Sequence, residues 1–389
     1  MAGLYLHIPF CKQRCVYCDF YFVTATSRLE AFTTRLKQEI AYWGTFFGPN
    51  HPLETIYFGG GTPSLLPVPV VAELLDIIAS SFDTSAVHER TFEINPDDVD
   101  LAYLTDLRQT GINRLSIGIQ SFVDADLQWM NRAHNATQAH NIVSTARAAG
   151  FQNFSADLIF GLPRQDSDAW EQNLKRMVEL EIPHLSTYGL TVEPGTPLHK
   201  RVAAGTESVL HEDAFAARYQ YTMAFMRDAG YAHYEVSSFA RSGFRSGHNQ
   251  LYWQHTNYLG VGPSAHAFWQ HAAAPAQRWG IVRSLKKYLD WDGEGAPPLS
   301  FKEEVSPAEL ASEFIMLRLR TQDGLDLKRL ASKYSARLPQ TVLDQLVQEG
   351  LARISDKHVF SLTDRGLLIC DTITSKLLAA VEQHTVTQG

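Results

Sequence analysis

Short apolar runs and amphipathic stretches alternate through the first two thirds of the chain. The six apolar runs are candidate β-strands, and they cover Leu4–His7, Thr55–Phe58, Thr91–Ile94, Arg114–Ile117, Ser155–Ile159 and Leu185–Leu190. Amphipathic stretches with helical spacing lie between them, at Arg28–Trp43, Val70–Ser81, Gln138–Ala149 and Asp168–Glu179. This alternation predicts a parallel sheet with right-handed crossovers and helices on its outer face. Six units are too few for a closed eight-stranded barrel, so we predict an α/β fold with a partial (β/α)6 barrel.

The last third of the chain has a different pattern. Residues 233–296 are rich in His, Trp, Tyr, Gly and Ser and show weak periodicity. Helical patterns, two strand-like runs and a closing helix then follow, at Pro307–Leu319, Leu327–Lys333, Pro339–Glu349, Ala352–Ile354, His358–Leu362 and Asp364–Val381. Helices followed by a small hairpin are typical of a winged-helix-like module. We therefore predict a barrel domain at 1–232, a linking region at 233–296 and a small α+β C-terminal domain at 297–389.

Charge and hydropathy restrict the class of protein. The 389 residues include 34 basic and 42 acidic side chains, a net charge of −8. A nucleic-acid partner normally requires a basic face, so this balance argues against one. The chain shows no secretory signal and no apolar run of about 18 residues, which predicts cytoplasmic residence.

Three of the four cysteines fall in one CxxxCxxC motif, at Cys11, Cys15 and Cys18. Disulfide frameworks spread their cysteines along the chain, so this clustering indicates a metal site. Three thiolates on one loop suit three irons of a [4Fe–4S] cluster and leave the fourth iron open to a small molecule. The alternatives are a structural zinc site with His7 or a distant fourth ligand, or three unligated thiols. Cys370 stands alone beside apolar residues, which predicts a buried core position.

The segment Tyr5–Phe10, leading into CxxxCxYC, resembles the radical SAM superfamily. More narrowly, it resembles the group that contains coproporphyrinogen dehydrogenases and HemW-type haem chaperones. The resemblance covers nearly the whole chain, because later motifs recur in order and the C-terminal module is similar to that of the group. It implies a [4Fe–4S] cluster on Cys11, Cys15 and Cys18. It also implies S-adenosylmethionine on the open iron, which one-electron reduction cleaves to a 5′-deoxyadenosyl radical.

The resemblance further implies a set of side chains around S-adenosylmethionine. They follow the cysteine loop at strand ends and glycine turns, and they are Tyr5, Tyr17, Gly60, Gly61, Thr62, Glu93, Gln120, Arg132 and Asp157. Carboxylates suit an ammonium group or ribose hydroxyls, arginine suits a carboxylate, and glycine lets the backbone approach a ligand closely. Taken singly, each residue has an ordinary explanation as a turn, cap or ion-pair partner.

Two departures separate this chain from the dehydrogenases of that group. Those enzymes have another cysteine two positions beyond the third, where this chain has Phe20, and they carry an N-terminal arm before a motif that begins here at Tyr5. The segment His248–Trp253 matches the HNxxYW pattern of the HemW branch. The resemblance therefore implies haem as a further ligand, with His248 as a candidate axial ligand. The alternative is a histidine that only hydrogen-bonds, with the neighbouring aromatic rings filling a domain seam.

Two functional hypotheses follow from these motifs. In the first, the protein is a chaperone that binds haem and passes it to unidentified client proteins, with an electron donor for the cluster and a possible homodimer. In the second, it is an enzyme whose radical attacks a porphyrinogen, with Arg241, Arg245 and Arg283 available for substrate carboxylates. Phe20, the short N-terminal segment and the His248 motif favour the chaperone.

Overall fold

The computed structural model describes residues 1–48, 51–163, 165–271 and 274–383. Six parallel strands form the centre of the fold: β1 Ala2–Ile8, β2 Leu53–Gly60, β3 Glu89–Ile94, β4 Arg114–Gln120, β5 Phe154–Phe160 and β6 His184–Gly189. They pair in sequence order, which is the pattern that right-handed crossovers produce. The six predicted strands are confirmed, with differences of at most three residues at their ends.

Helices connect these strands and cover the outer face of the sheet. Their bounds are α1 Leu29–Phe47, α2 Val68–Ser81, α3 Leu101–Gln109, α4 Asp124–Trp129, α5 Ala136–Ala148, α6 Ser167–Glu179, α7 Pro197–Ala203 and α8 Glu212–Asp228. In α1 the buried residues Phe32, Leu36 and Ile40 recur every four positions, so one stripe faces the sheet. Asn135 begins α5 with a capping box that involves Gln138.

Residues after α8 widen the central sheet on both sides. The added elements are β7 Ala232–Glu235, β8 Ser238–Ala240, α9 Gly247–Trp253, β9 Tyr258–Val261, β10 His266–Trp269, β11 Ala276–Ile281, α10 Leu285–Asp290 and β12 Leu299–Val305. The described sheet has twelve strands in the order β12-β11-β10-β9-β1-β2-β3-β4-β5-β6-β8-β7, with β9 parallel to β1. Most of the predicted linking region 233–296 is thus continuous with the sheet. Its strands have only three to six residues, too few for a clear alternation.

The C-terminal part forms a separate core. Its elements are α11 Pro307–Leu319, β13 Leu325–Asp326, α12 Leu327–Tyr334, β14 Ala336–Arg337, α13 Gln340–Gln348, β15 Ala352–Ile354, β16 Val359–Leu362, α14 Asp364–Leu368, α15 Cys370–Ala380 and β17 Glu382–Gln383. The helices and the hairpin β15–β16 occur where the sequence predicts them. The predicted closing helix is divided at Ile369, whose φ of −122° and ψ of 31° interrupt the helical geometry. Cys370 is buried in this core, as predicted.

Main-chain hydrogen bonds fasten the C-terminal part to the edge strand β7. Val236 N donates to Arg320 O at 2.8 Å, and Gln322 N donates to Tyr234 O at 3.0 Å. Thr321 forms an isolated antiparallel bridge with a residue of β7. The C-terminal part therefore continues the hydrogen bonding of the sheet beyond its last strand.

A buried carboxyl group lies between α1 and the flank of the sheet. Glu39 accepts hydrogen bonds from Gly262 N at 2.8 Å, Tyr288 Oη at 2.6 Å and Trp43 Nε1 at 3.3 Å. Burial raises the pKa of Glu39 from 4.5 to about 7, although these donors favour the ionised form. The carboxyl group thus keeps its proton in the folded chain at a pH where the unfolded chain has lost it.

We expect the contribution of Glu39 to stability to fall as pH rises from about 4.5 to about 7. In that range the folded state binds more protons at Glu39 than the unfolded state, so this contribution to the free energy of unfolding decreases with pH, by about 3 kcal/mol in total. Glu39→Gln should remove this part of the pH dependence. Urea unfolding at several pH values, with exposed Glu304→Gln as a control, measures the effect. Identical pH profiles for the Glu39→Gln variant and the wild type would contradict it.

Candidate functional site

The cysteine loop leaves the end of β1 and is fixed to neighbouring segments by its backbone. Cys11 N donates to Val23 O at 3.0 Å, and Val16 N donates to Met130 O at 3.1 Å. Backbone bonds of this kind hold a loop in one conformation without using its side chains. The three thiols of the motif are partly exposed and line one cavity.

This main cavity has a volume of about 560 Å³ and extends from the thiols into the interior of the partial barrel. Eight of the nine residues predicted to surround S-adenosylmethionine line it, together with Cys11, Cys15 and Cys18; the eight are Tyr17, Gly60, Gly61, Thr62, Glu93, Gln120, Arg132 and Asp157. The carboxyl ends of parallel strands meet at this rim, which explains why residues far apart in sequence lie together. Their contacts with S-adenosylmethionine stay predictions.

A buried guanidinium group lies beside the thiols. Arg132 Nη1 donates to Cys15 Sγ at 3.5 Å, and its Nη2 donates to Asn95 Oδ1 at 2.6 Å and to Gly118 O at 2.9 Å. Its Nε is buried and has no hydrogen-bond partner among the described residues. A buried cation with a spare donor is suited to thiolates and to an anionic ligand.

The carboxyl group of Glu93 faces the same cavity. Its Oε2 accepts from Gly60 N at 3.0 Å, and its Oε1 accepts from Tyr57 Oη at 2.8 Å. Burial raises the pKa of Glu93 to about 7, and the nearby charge of Asp157 adds to the increase. Burial also raises the pKa of Asp157. A cationic ligand between such groups would favour their ionised forms.

The glycine turn after β2 is required by close packing against β1. A Cβ on Gly60, whose φ is +110°, would lie 2.7 Å from the ring of His7. A Cβ on Gly61 would lie 2.7 Å from Phe10 O, and Gly61 N donates to Ile8 O at 2.8 Å. The turn therefore presents backbone to the cavity and positions Thr62, whose Oγ1 donates to Cys11 Sγ at 3.5 Å.

The end of β4 has a strained backbone beside the cavity. Gln120 has a φ of +64°, a value rare for residues other than glycine, after an irregularity in the pairing with β5. Such strain is concentrated at functional sites.

Asn95 is a further site residue, because it also donates to Thr62 Oγ1 at 3.2 Å and so connects Arg132 with the glycine turn. Asn95 was not predicted from the sequence, although it lies in the same Phe-Glu-Ile-Asn-Pro segment as Glu93.

Tyr5 does not line the main cavity but an adjacent cleft, so its predicted contact with S-adenosylmethionine stays a prediction. Its hydroxyl shares a hydrogen bond of 3.2 Å with His7 Nδ1, and His7 Nε2 lies 2.9 Å from Tyr21 O. Both ring nitrogens of His7 are thus occupied, which disfavours it as a zinc ligand. No three His, Cys, Asp or Glu side chains of the described residues surround one ion position. Separate thiolates suit a cluster that offers each a different iron.

His248 lies in α9 and is only 1% exposed. Its Nδ1 is 2.7 Å from Thr55 Oγ1 and its Nε2 is 2.9 Å from Tyr252 Oη. Glu89 accepts from the backbone N of His248 at 2.9 Å, which fixes the start of α9. Burial lowers the pKa of His248 to about 4, so its ring is neutral. Haem ligation by His248 stays a prediction, and in this conformation both its nitrogens are occupied.

The three arginines considered for a porphyrinogen substrate do not line the main cavity. Arg241 stacks on the ring of Tyr231, and Arg245 stacks on Tyr234. Arg283 donates to Asp19 O beyond the cysteine loop. The three arginines therefore form no group of cations in the main cavity.

The sheet, the cysteine loop and the rim residues define a radical SAM fold and site. The family model of the Radical SAM superfamily matches residues 5–177, and that of the HemN C-terminal domain matches residues 305–369. Coproporphyrinogen III oxidase (HemN) from Escherichia coli has the same fold, with a TM-score of 0.80 and 24% identity over 96% of this chain and 89% of that one.

Sequence relatives identify the family within this class. The chain is 34% identical to the haem chaperone HemW of Bacillus subtilis (strain 168), over 97% of this chain and 99% of that protein. It is 32% identical to HemW of Mycobacterium tuberculosis (strain H37Rv), over 97% of this chain and 94% of that protein. A mitochondrial radical S-adenosyl methionine domain-containing protein 1 from Mus musculus is 40% identical, over 98% of this chain and 88% of that protein. This chain belongs to the HemW family of radical SAM proteins.

No helix in the described part of the chain combines the length and the apolar character that crossing a bilayer requires.

Proposed function

We propose that this protein is a haem chaperone, which binds haem and transfers it to acceptor proteins. The observation that carries the proposal is the similarity to HemW chaperones over almost the full length of both chains. The residue type at position 20 also supports it. This chain has Phe20 where the related dehydrogenases have a further cysteine, so it departs from the dehydrogenase pattern. The absence of Arg241, Arg245 and Arg283 from the lining of the main cavity gives no support to porphyrinogen decarboxylation.

The residues of the main cavity fit a [4Fe–4S] cluster and S-adenosylmethionine. When bound, the reduced cluster supplies one electron and S-adenosylmethionine supplies an organic radical or a conformational signal. Cys11, Cys15 and Cys18 would hold the cluster. The spare Nε of Arg132 suits the methionyl carboxylate, and Glu93 suits the ammonium group. These groups also orient the ligand and keep water from it, because they lie in the barrel interior.

Partners and location complete the proposal. The protein takes electrons from a cellular donor, passes haem to client proteins, binds no nucleic acid and works in the cytoplasm as a monomer or a homodimer. The net charge of −8 supports the exclusion of nucleic acid. Cell fractionation and sedimentation with and without the reconstituted cluster test the location and the oligomeric state.

Haem titration of the anaerobically reconstituted protein tests the proposed function. We expect saturable binding of one haem per chain in the Soret spectrum. We also expect haem to move to an apo-globin, which serves as a generic acceptor. This transfer should be faster than the spontaneous dissociation of haem from the protein into solution. The three-cysteine variant, with serine at positions 11, 15 and 18, shows whether the cluster controls transfer.

Two results would contradict this proposal. One is a wild type that binds no haem at saturable stoichiometry. The other is a protein that consumes S-adenosylmethionine and decarboxylates coproporphyrinogen, which would establish the enzyme hypothesis.

A further inference from the structure

An open cleft lies beside the main cavity, next to β1, β9 and β10. We call it the flank cleft. Its volume is about 350 Å³, and its lining residues are Tyr5, His7, Asp19, Phe20, Tyr21, Tyr252, Tyr258, Ser264, Ala265, His266 and Arg283. Five of these eleven side chains are aromatic rings of Tyr or Phe, and two are imidazoles. This composition suits a flat, apolar ligand with a metal centre.

The flank cleft is in direct contact with the HNxxYW segment. Tyr252, from that segment, lines the cleft, and its hydroxyl is 2.9 Å from His248 Nε2. The Tyr252 ring also packs edge-on against Tyr258 with ring centroids 4.7 Å apart. The segment therefore meets this cleft through its tyrosine, and its histidine lies behind that tyrosine.

His266 is the accessible imidazole of the flank cleft. It is exposed, and neither of its ring nitrogens hydrogen-bonds to a described residue, whereas both nitrogens of His7 are occupied. Burial of part of the ring, together with the charge of Arg278, lowers the pKa of His266, so its ring is neutral near pH 7. A neutral imidazole with a free nitrogen is the form that binds haem iron.

The turn before His266 is built to place it at the cleft. Gly262 has a φ of +93°, and a Cβ there would lie 2.5 Å from His7 O. Ser264 has a φ of +71°, which is unusual for a residue with a side chain. The turn thus crosses close over the end of β1 in a strained conformation, a feature typical of functional segments.

The flank cleft also has a cation at its rim and an apolar side chain from the cysteine loop. Arg283 lines it and makes a hydrogen bond to Asp19 O, which leaves other guanidinium donors for a carboxylate. Phe20 is 64% exposed and lines both the cleft and the main cavity, two residues beyond Cys18. An exposed aromatic ring at this position connects the cleft with the cluster loop.

We infer that the flank cleft is the haem site, with His266 as axial ligand, Arg283 paired with a propionate and Phe20 packed on the porphyrin. This inference rests on the proposed function and adds the site to it. Its volume is at the low end of the roughly 300–1,000 Å³ that ligand sites span, so one edge of the haem stays exposed. An exposed edge suits a protein that gives its ligand to another.

Titration with haem of the reconstituted holoprotein and five variants tests the site. We expect His266→Ala to shift the Soret maximum and raise Kd at least about tenfold, the effect of losing about 1.4 kcal/mol of binding free energy. Added imidazole should restore the wild-type Soret position. Arg283→Gln and Phe20→Ser should raise Kd without that shift. His140→Ala, an exposed histidine on α5, is the matched control and should behave as the wild type. Iron and sulfide analysis of each variant checks that the cluster is retained.

The outcomes separate this inference from the proposed function. A wild type that binds no haem overturns both. Saturable binding that His266→Ala leaves unchanged overturns the flank cleft alone. If, in addition, His248→Ala shifts the Soret maximum, the ligand is the histidine behind Tyr252 instead.

Discussion

The Cys15→Ser variant is expected to lose the iron–sulfur cluster, falling from about four iron atoms per chain to close to none. Each thiolate of the loop serves a different iron, so two remaining thiolates cannot hold the cluster. The loop backbone is fixed independently, by bonds such as Val16 N to Met130 O, and so the chain should still fold. Iron and acid-labile sulfide analysis after anaerobic reconstitution, together with the visible spectrum, measures the loss.

Cys370→Ser is the control for this experiment. Its sulfur is buried in the C-terminal core, far from the loop in sequence, and the variant should retain the full iron content. One zinc per chain, without sulfide, in the reconstituted wild type would contradict the cluster and restore the zinc alternative.

The Arg132→Gln variant is expected to bind S-adenosylmethionine at least about 30-fold more weakly than the wild type. Removing one partner of a buried, hydrogen-bonded charge pair costs about 2 kcal/mol or more. The spare Nε of Arg132 is the donor that glutamine does not supply in the same place. Isothermal titration of the reconstituted protein measures Kd, and Arg176→Gln, at an exposed position of α6, is the matched control.

Iron content must be measured in parallel, because Arg132 also contacts Cys15. Arg132→Lys keeps the charge and should recover part of the affinity. An Arg132→Gln protein with full iron content and an unchanged Kd would contradict the predicted role.

The central part of the fold could be predicted because each strand is followed by a helix long enough to show its periodicity. The flanking strands could not, since β8 has three residues and β9 and β10 have four each. Their place in the sheet depends on pairing with β1 and β6, which are distant in sequence. The close approach of β9 to β10 also requires a glycine, because a Cβ on Gly260 would lie 2.1 Å from His266 O.

The candidate site also has one part that could be predicted from the sequence and one part that could not. The cysteines and rim residues carry local motifs, so their positions could be predicted, and eight of the nine residues assigned to S-adenosylmethionine line one cavity. The surroundings of His248 could not be predicted from the sequence. Its hydrogen bonds to Thr55 and Glu89 join residues 193 and 159 positions apart. A histidine motif in the sequence carries no information about which side chains bury it.

The attachment of the C-terminal part to β7 has a consequence for the solubility of the chain. A free edge strand presents unpaired backbone donors and acceptors, on which strands of other molecules can assemble into aggregates. At one edge of the described sheet, β12 carries the charged residues Lys302, Glu303 and Glu304, which discourage such assembly. The short strand β7 has no comparable run of charges, and Val236 and Gln322 bind the C-terminal part to that edge instead. The C-terminal part thus covers this edge of the sheet and keeps strands of other molecules from pairing with it. A chain shortened before Ser306 would leave the edge uncovered and would aggregate more readily.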